Sequence, residues 1–191
     1  MIKLVTAPSV EPLSLADAKL FLKVDNTSDD ALITEQIKAA RQNVETILGY
    51  KLITQTWDYY QDCFRDPIVL PLDPVQSISY IKYQDTDNVT QTVDSGDYTL
   101  FENVLPAQIK PITTATFPTA GWYPAAVNVR LVVGYADAAA DIPNLETILR
   151  ALKLILADMY ENREDVQPSH STVKLIPNCA KNVLMSLRSF R

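Results

Sequence analysis

The sequence predicts an α+β fold: a helical bundle from the N- and C-terminal segments, with a small antiparallel β sub-domain inserted between the second and third helices. Three observations lead there. Apolar residues recur at helical spacing in both end segments. The middle is rich in Thr, Trp, Tyr and Ile, as strands are. Twelve prolines against four glycines, clustered between Pro67 and Pro124, give that middle many rigid turns. The expected organisation is a single domain of residues 1–191, with helical parts 1–50 and 140–191 and a β insertion at about 52–135. A chain of this length buries a real core without metals or disulfides.

Ser14-Leu15-Ala16-Asp17 has the pattern of a capping box, a hydroxyl with a carboxylate three residues on. Leu15, Ala18 and Leu22 follow at helical spacing and predict a short first helix. The polar run Asp25 to Asp30 supplies a turn and early negative charge for a second helix. Ile33, Ile37, Ala40, Val44 and Ile47/Leu48 form its stripe, and Gly49 stands where a left-handed helix stop belongs.

Leu52 to Phe64 reads as strand, and Ile68-Val69-Leu70 as a short extended piece between prolines. Val75–Tyr83 and Val89–Val93 flank Asp85-Thr86-Asp87-Asn88, a hairpin turn. Tyr98–Phe101 and Ala107–Pro111 are weaker strand patterns. Ala126–Val133 alternates, with Val127, Val129, Leu131 and Val133 on one face and Asn128 and Arg130 on the other. Pro143 suits the first position of a third helix. Its apolar residues, Leu145 through Tyr160, cover more than one stripe, so burial on two sides is expected, against the second helix and a neighbouring subunit. Asn178–Leu187 predicts a short final helix.

Chemistry is sparse. One histidine, His170, lies in a polar turn-like segment, so a Ser-His-Asp or Cys-His site would rest on it alone. Cys63 and Cys179 are far apart with no CxxC spacing and read as unpaired thiols of a reducing compartment. Asp85 to Thr90 begins like a calcium loop but places Val89 and Thr90 where a ligand and a glycine are needed. No glycine pattern cradles phosphate. Trp57, Tyr59, Tyr60, Trp122 and Tyr123 lack interleaved basic residues, so core or subunit-interface packing is expected of them rather than base stacking. No catalytic residue, cofactor or metal is expected. Neither a secretory signal nor an apolar run long enough for a bilayer appears, which predicts a cytosolic chain or a particle component assembled there.

The net charge of −6 is uneven: beyond Asp165 stand only Lys174, Lys181, Arg188 and Arg191, leaving −10 on residues 1–165. Such a body repels phosphates and does not predict a broad DNA-binding face.

Several segments, in order, resemble the bacteriophage head–tail connector (adaptor, head-completion) family. Pro12-Leu13-Ser14-Leu15-Ala16-Asp17-Ala18-Lys19 with Leu22-Lys23-Val24-Asp25 is similar to its opening helix. Asp29-Asp30-Ala31-Leu32-Ile33, Ala39-Ala40-Arg41 and Val44-Glu45 are similar to its second helix. Gly49-Tyr50-Lys51-Leu52 and Gln55-Thr56-Trp57 resemble its entry into the β region, and Leu70-Pro71-Leu72-Asp73-Pro74-Val75 its proline-flanked strand. Gly134-Tyr135, Ile142-Pro143 and Tyr160-Glu161-Asn162-Arg163-Glu164 resemble its closing helix. Residues 113–124 and the C-terminal tail depart from the pattern.

The resemblance implies a structural virion protein of the head–tail junction, present in the host cytoplasm during assembly. It implies a ring of about twelve copies under the portal protein that extends the DNA channel and seats a tail-completion or head-closure protein. DNA would pass without sequence-specific binding, and no membrane is involved. Ile148, Leu152, Ile155, Met159, Tyr160 and Arg163 are the expected subunit interface, and Lys174, Lys181, Arg188 and Arg191 the expected portal dock. The alternatives are another head-closure or tail-completion structural protein, or an unrecognised hydrolase or nuclease.

Overall fold

A computed structural model describes residues 1–135, 142–162 and 178–188. They divide into two compact units. One takes the described residues of 1–9 and 50–137, the other those of 10–49 and 138–190.

The first unit is built from strands. β1 (Ile2–Thr6), β2 (Gln55–Gln61), β8 (Val127–Val133), β4 (Val75–Gln84) and β5 (Thr90–Thr92) form an antiparallel sheet in that order. β3 (Ile68–Val69), β7 (Gln108–Pro111) and β6 (Tyr98–Phe101) form a second, smaller one. The alternation read in β8 is what centres it. Val127, Val129, Leu131 and Val133 are fully buried and cluster with Ile68, Leu70, Ile81 and Ile109. Asn128 and Arg130 point to the other face. The β4–β5 hairpin turns at Asp85, whose Oδ1 accepts from the N–H of Asp87 at 3.0 Å and of Val89 at 2.9 Å. Those bonds, Val89's foremost, hold the exposed Asp85 carboxyl below its ordinary pKa. The calcium-like run is therefore a turn closed on its own backbone.

β1 was not legible as a strand, and the N-terminal helical part expected over 1–50 gives up its first residues to the sheet. Every residue of β1 is exposed, and it pairs with β2 through Ile2–Tyr59, Lys3–Asp58 and Leu4–Trp57 before a bulge at Val5. An edge strand with nothing buried carries no alternation signal.

The second unit is helical: α1 (Leu15–Leu22), α2 (Asp30–Leu48), α3 (Leu145–Glu161) and α4 (Asn178–Ser186). Ser14 caps α1 as expected, its Oγ accepting from the Asp17 N–H at 3.1 Å. α2 buries Ile33, Ile37, Ala40, Val44 and Leu48 and stops at Gly49, φ 80°. Pro143 is not the first residue of α3. Asn144 stands between them in the left-handed region, φ 56°, and its carbonyl accepts the first helical N–H groups, from Thr147 and Ile148. Asparagine tolerates that conformation, which lets the chain turn before the helix begins.

α3 is buried on two sides, but its second cover differs from the expected one. It packs on α2, α4 and α1 of its own chain. Ala180 and Leu184 of α4 are fully buried, so the short final helix shields a face of the unit from solvent.

Candidate functional site

The surfaces available for assembly follow from what each unit leaves uncovered. In the helical unit, the six residues expected at a subunit interface separate into three groups. Ile148, Leu152 and Ile155 are buried at 2% exposure or less, packed within their own unit. Met159 and Tyr160 remain half-buried near the end of α3. The Tyr160 hydroxyl donates to Asp29 Oδ2 at 2.7 Å, and the Met159 carbonyl accepts from Gln36 Nε2 at 3.0 Å. These bonds fix the end of α3 against the start of α2. Arg163 lies outside the described residues.

Beside Met159 a groove of about 450 Å³ runs between α2 and α3, lined by Leu32, Glu35, Gln36, Ala39, Met159 and Asn162. The same unit holds an ion-pair cluster. Arg41, 4% exposed, donates through Nε to Glu11 Oε2 at 2.7 Å and through Nη1 to Glu45 Oε1 at 3.1 Å. Burial pulls the Arg41 pKa down, and the bonds and charges of the two carboxylates outweigh that and raise it.

Of the four residues expected to dock on a portal, Lys181 and Arg188 are described and both are exposed, at and just beyond α4. Lys174 and Arg191 lie outside the described residues, as does His170.

In the β unit, the face of the larger sheet away from its core carries a polar cluster. Asp58 of β2 accepts from Arg130 Nε at 2.8 Å and from Arg130 Nη2 at 2.9 Å, a two-pronged pair between adjacent strands. The guanidinium lies 4.8 Å over the Tyr80 ring, and Lys82 Nζ stands 4.5 Å from the same ring. Arg130 holds the Asp58 carboxyl below the ordinary carboxylate range. Asp58 therefore stabilises the fold at all pH above its ordinary value, and this is lost as pH falls through the lower folded one. Asp58→Asn is expected to lower stability at neutral pH by about 1.5–3 kcal/mol, the range for hydrogen bonds to charged groups. The gap from wild type should close as urea melts are taken below about pH 4. A gap that persists undiminished in acid would show that the pair is not the cause.

The loop before β8 carries the most exposed aromatic side chain among the described residues. Trp122 is fully exposed, whereas Trp57 packs partly against the core with its Nε1 donating to Gln55 Oε1 at 3.0 Å. Phe117 of the same loop stacks on Phe64 at 5.0 Å between centroids. Sequence reasoning treated both tryptophans alike. The signal that separates them is local: Gly121-Trp122-Tyr123-Pro124 is a turn pattern, while Trp57 lies in a strand.

Among the described residues no three His, Cys, Asp or Glu side chains could hold a metal ion. Cys63 and Cys179 are free and exposed. No described helix is long and apolar enough to cross a membrane.

Three solved chains share the fold over its full length. One is from the virion of a native gene transfer agent (GTA) particle, with a TM-score of 0.76 and 21% identity. Another is from the neck of an empty GTA particle computed with C6 symmetry, at 0.77 and 19%. The third, from the neck of a native GTA particle computed with C12 symmetry, gives 0.77 and 21%. In each case the match covers 100% of this chain and 96% of the other. No curated protein matches the sequence. The family model of phage gp6-like head-tail connector proteins matches residues 12–114, which takes in α1, α2 and most of the β unit. This chain belongs to the phage gp6-like head-tail connector family and is a structural protein of phage-type particles, not an enzyme.

Proposed function

We propose that this chain forms a closed ring of about twelve copies at the head–tail junction, beneath the portal, extending the DNA channel and giving the tail a platform. One observation carries the reading: the whole chain shares its fold with a neck component of a particle whose neck was computed with C12 symmetry. In this reading the helical unit forms the ring wall, and the β unit contacts neighbours or the tail side. Met159, Tyr160 and Arg163 serve the contact between copies, while Ile148, Leu152 and Ile155 support it from inside the protomer. The protein assembles in the host cytoplasm and ends in the virion. An acidic body suits a channel wall, since it repels phosphate and lets DNA pass without sticking.

The acid-free tail, with Lys174, Lys181, Arg188 and Arg191, docks on the portal. Charge reversal at Lys181 and Arg188 together should weaken portal association measured by co-sedimentation, and the deficit should shrink as salt rises. Association unchanged at low salt would remove the electrostatic dock. The ring reading itself is tested by electron microscopy of particles made without this protein. Separate tails and unjoined, DNA-depleted heads are expected; normal joined virions would overturn it.

A further inference from the structure

Trp122 is held out in solvent by construction. The Tyr123 N–H donates to the Gly121 carbonyl at 2.9 Å, closing a three-residue turn with Trp122 at its centre. Both flanks are tied down. Gly121 N donates to the Gln84 carbonyl at 2.8 Å, and Ala125 N, at φ 58°, donates to Asp62 Oδ1 at 2.8 Å. A Cβ on Gly121 would lie 2.5 Å from the Asp85 carbonyl oxygen and from the Tyr123 ring, so only glycine allows this turn. An indole presented on so fixed a backbone loses little further entropy on docking, and tryptophan is among the residues most often decisive at interfaces.

The helical unit supplies a recess of matching chemistry. Leu32, Ala39 and Met159 give the α2–α3 groove apolar, half-buried walls, and the exposed Glu35 and Asn162 offer oxygens within it for an indole N–H. Its volume of about 450 Å³ falls within the roughly 300–1,000 Å³ of recesses that take compact ligands. A closed ring needs a heterologous contact, in which one patch of a subunit meets a different patch of the next. A rigid knob and an apolar notch on one chain meet that requirement, and the notch contains Met159.

We propose that Trp122 of one copy seats in the α2–α3 groove of the next copy in the ring. This rests on the ring reading above. The test pairs Trp122→Cys with Ala39→Cys in a chain whose Cys63 and Cys179 are serine, assembled into particles and oxidised. Non-reducing gels should show dimers and a ladder of higher multimers only when both new cysteines are present. Trp122→Ala should keep the wild-type melt, because the side chain is exposed, yet enter particles about tenfold less or worse. The inference is overturned if the pair does not cross-link, whether Trp122→Ala is incorporated normally or is lost because it anchors on another protein. In both cases the chain is still found in wild-type particles and the ring reading stands. Absence of the chain from wild-type particles would instead overturn the ring reading and this contact with it.

Discussion

Replacing Arg41 by Met should destabilise the helical unit by about 3–5 kcal/mol, among the largest effects of any single change to this chain. The physical cause is what the substitution leaves behind. Glu45 is 3% exposed on the next turn of the same helix and loses the Arg41 guanidinium, which donates to it at 3.1 Å. Glu11 loses its partner at 2.7 Å, and with it the anchor of the segment leading into α1. The cost lies in the hydrogen bonds and charge that the two carboxylates lose rather than in the net worth of the pair, so a second variant separates the two. Changing Arg41, Glu45 and Glu11 together to apolar residues of similar size should recover most of the loss, since buried ion pairs rarely outperform good packing. Urea unfolding followed by circular dichroism gives both numbers. A triple variant as unstable as Arg41→Met would mean that the cluster itself contributes the stability.

Legibility in the sequence followed burial. β8 announced itself because it is central, with one face in the core, and period two is then enforced residue by residue. α2 did so because Ile33 to Leu48 all meet one core and Gly49 ends the run. β1 left no trace, being exposed along its whole length. The division of the strands into two sheets was equally hidden, because pairing β3 with β7 joins residues far apart in sequence, such as Ile68 and Ile109. Pro143 misled by one physical step: proline favours a first helical turn, but here Asn144 supplies the chain reversal that comes first.

What covers α3 was less legible than the helix itself, for a physical reason. Its excess of apolar residues correctly demanded two covers, but periodicity cannot say whose they are. α4 of the same chain supplies the second, which moves Ile148, Leu152 and Ile155 into the protomer core and leaves Met159 and Tyr160 nearer the surface. Trp122 shows the converse. Its exposure is set by hydrogen bonds from Gly121 to Gln84 and from Ala125 to Asp62, residues distant in sequence.

Gly134→Ala should cost roughly 3 kcal/mol or more in the β unit and leave little soluble protein, through backbone conformation rather than lost contacts. Gly134 follows β8 at φ 104°, a region that side chains with a Cβ rarely adopt. Its N–H donates to the Pro74 carbonyl at 2.8 Å, and its own carbonyl accepts from Gln76 Nε2 at 2.6 Å. A Cβ there would lie 2.3 Å from the Ile53 carbonyl oxygen, just where Ile53 bridges to Tyr135. The added carbon must push two backbone segments apart or force Gly134 out of its dihedral, and either motion opens the end of the larger sheet. Gly96→Ala is the matched control: the nearest atom to its Cβ is Asp94 Oδ1 at 3.4 Å, and no positive φ stands in the way. That variant should stay within about 1 kcal/mol of wild type and can gain from a less flexible unfolded chain. Thermal melts of the two variants side by side decide the matter. Equal stabilities would mean that the Ile53–Gly134 approach is looser than its geometry requires, and that some other feature holds β8 to its neighbours.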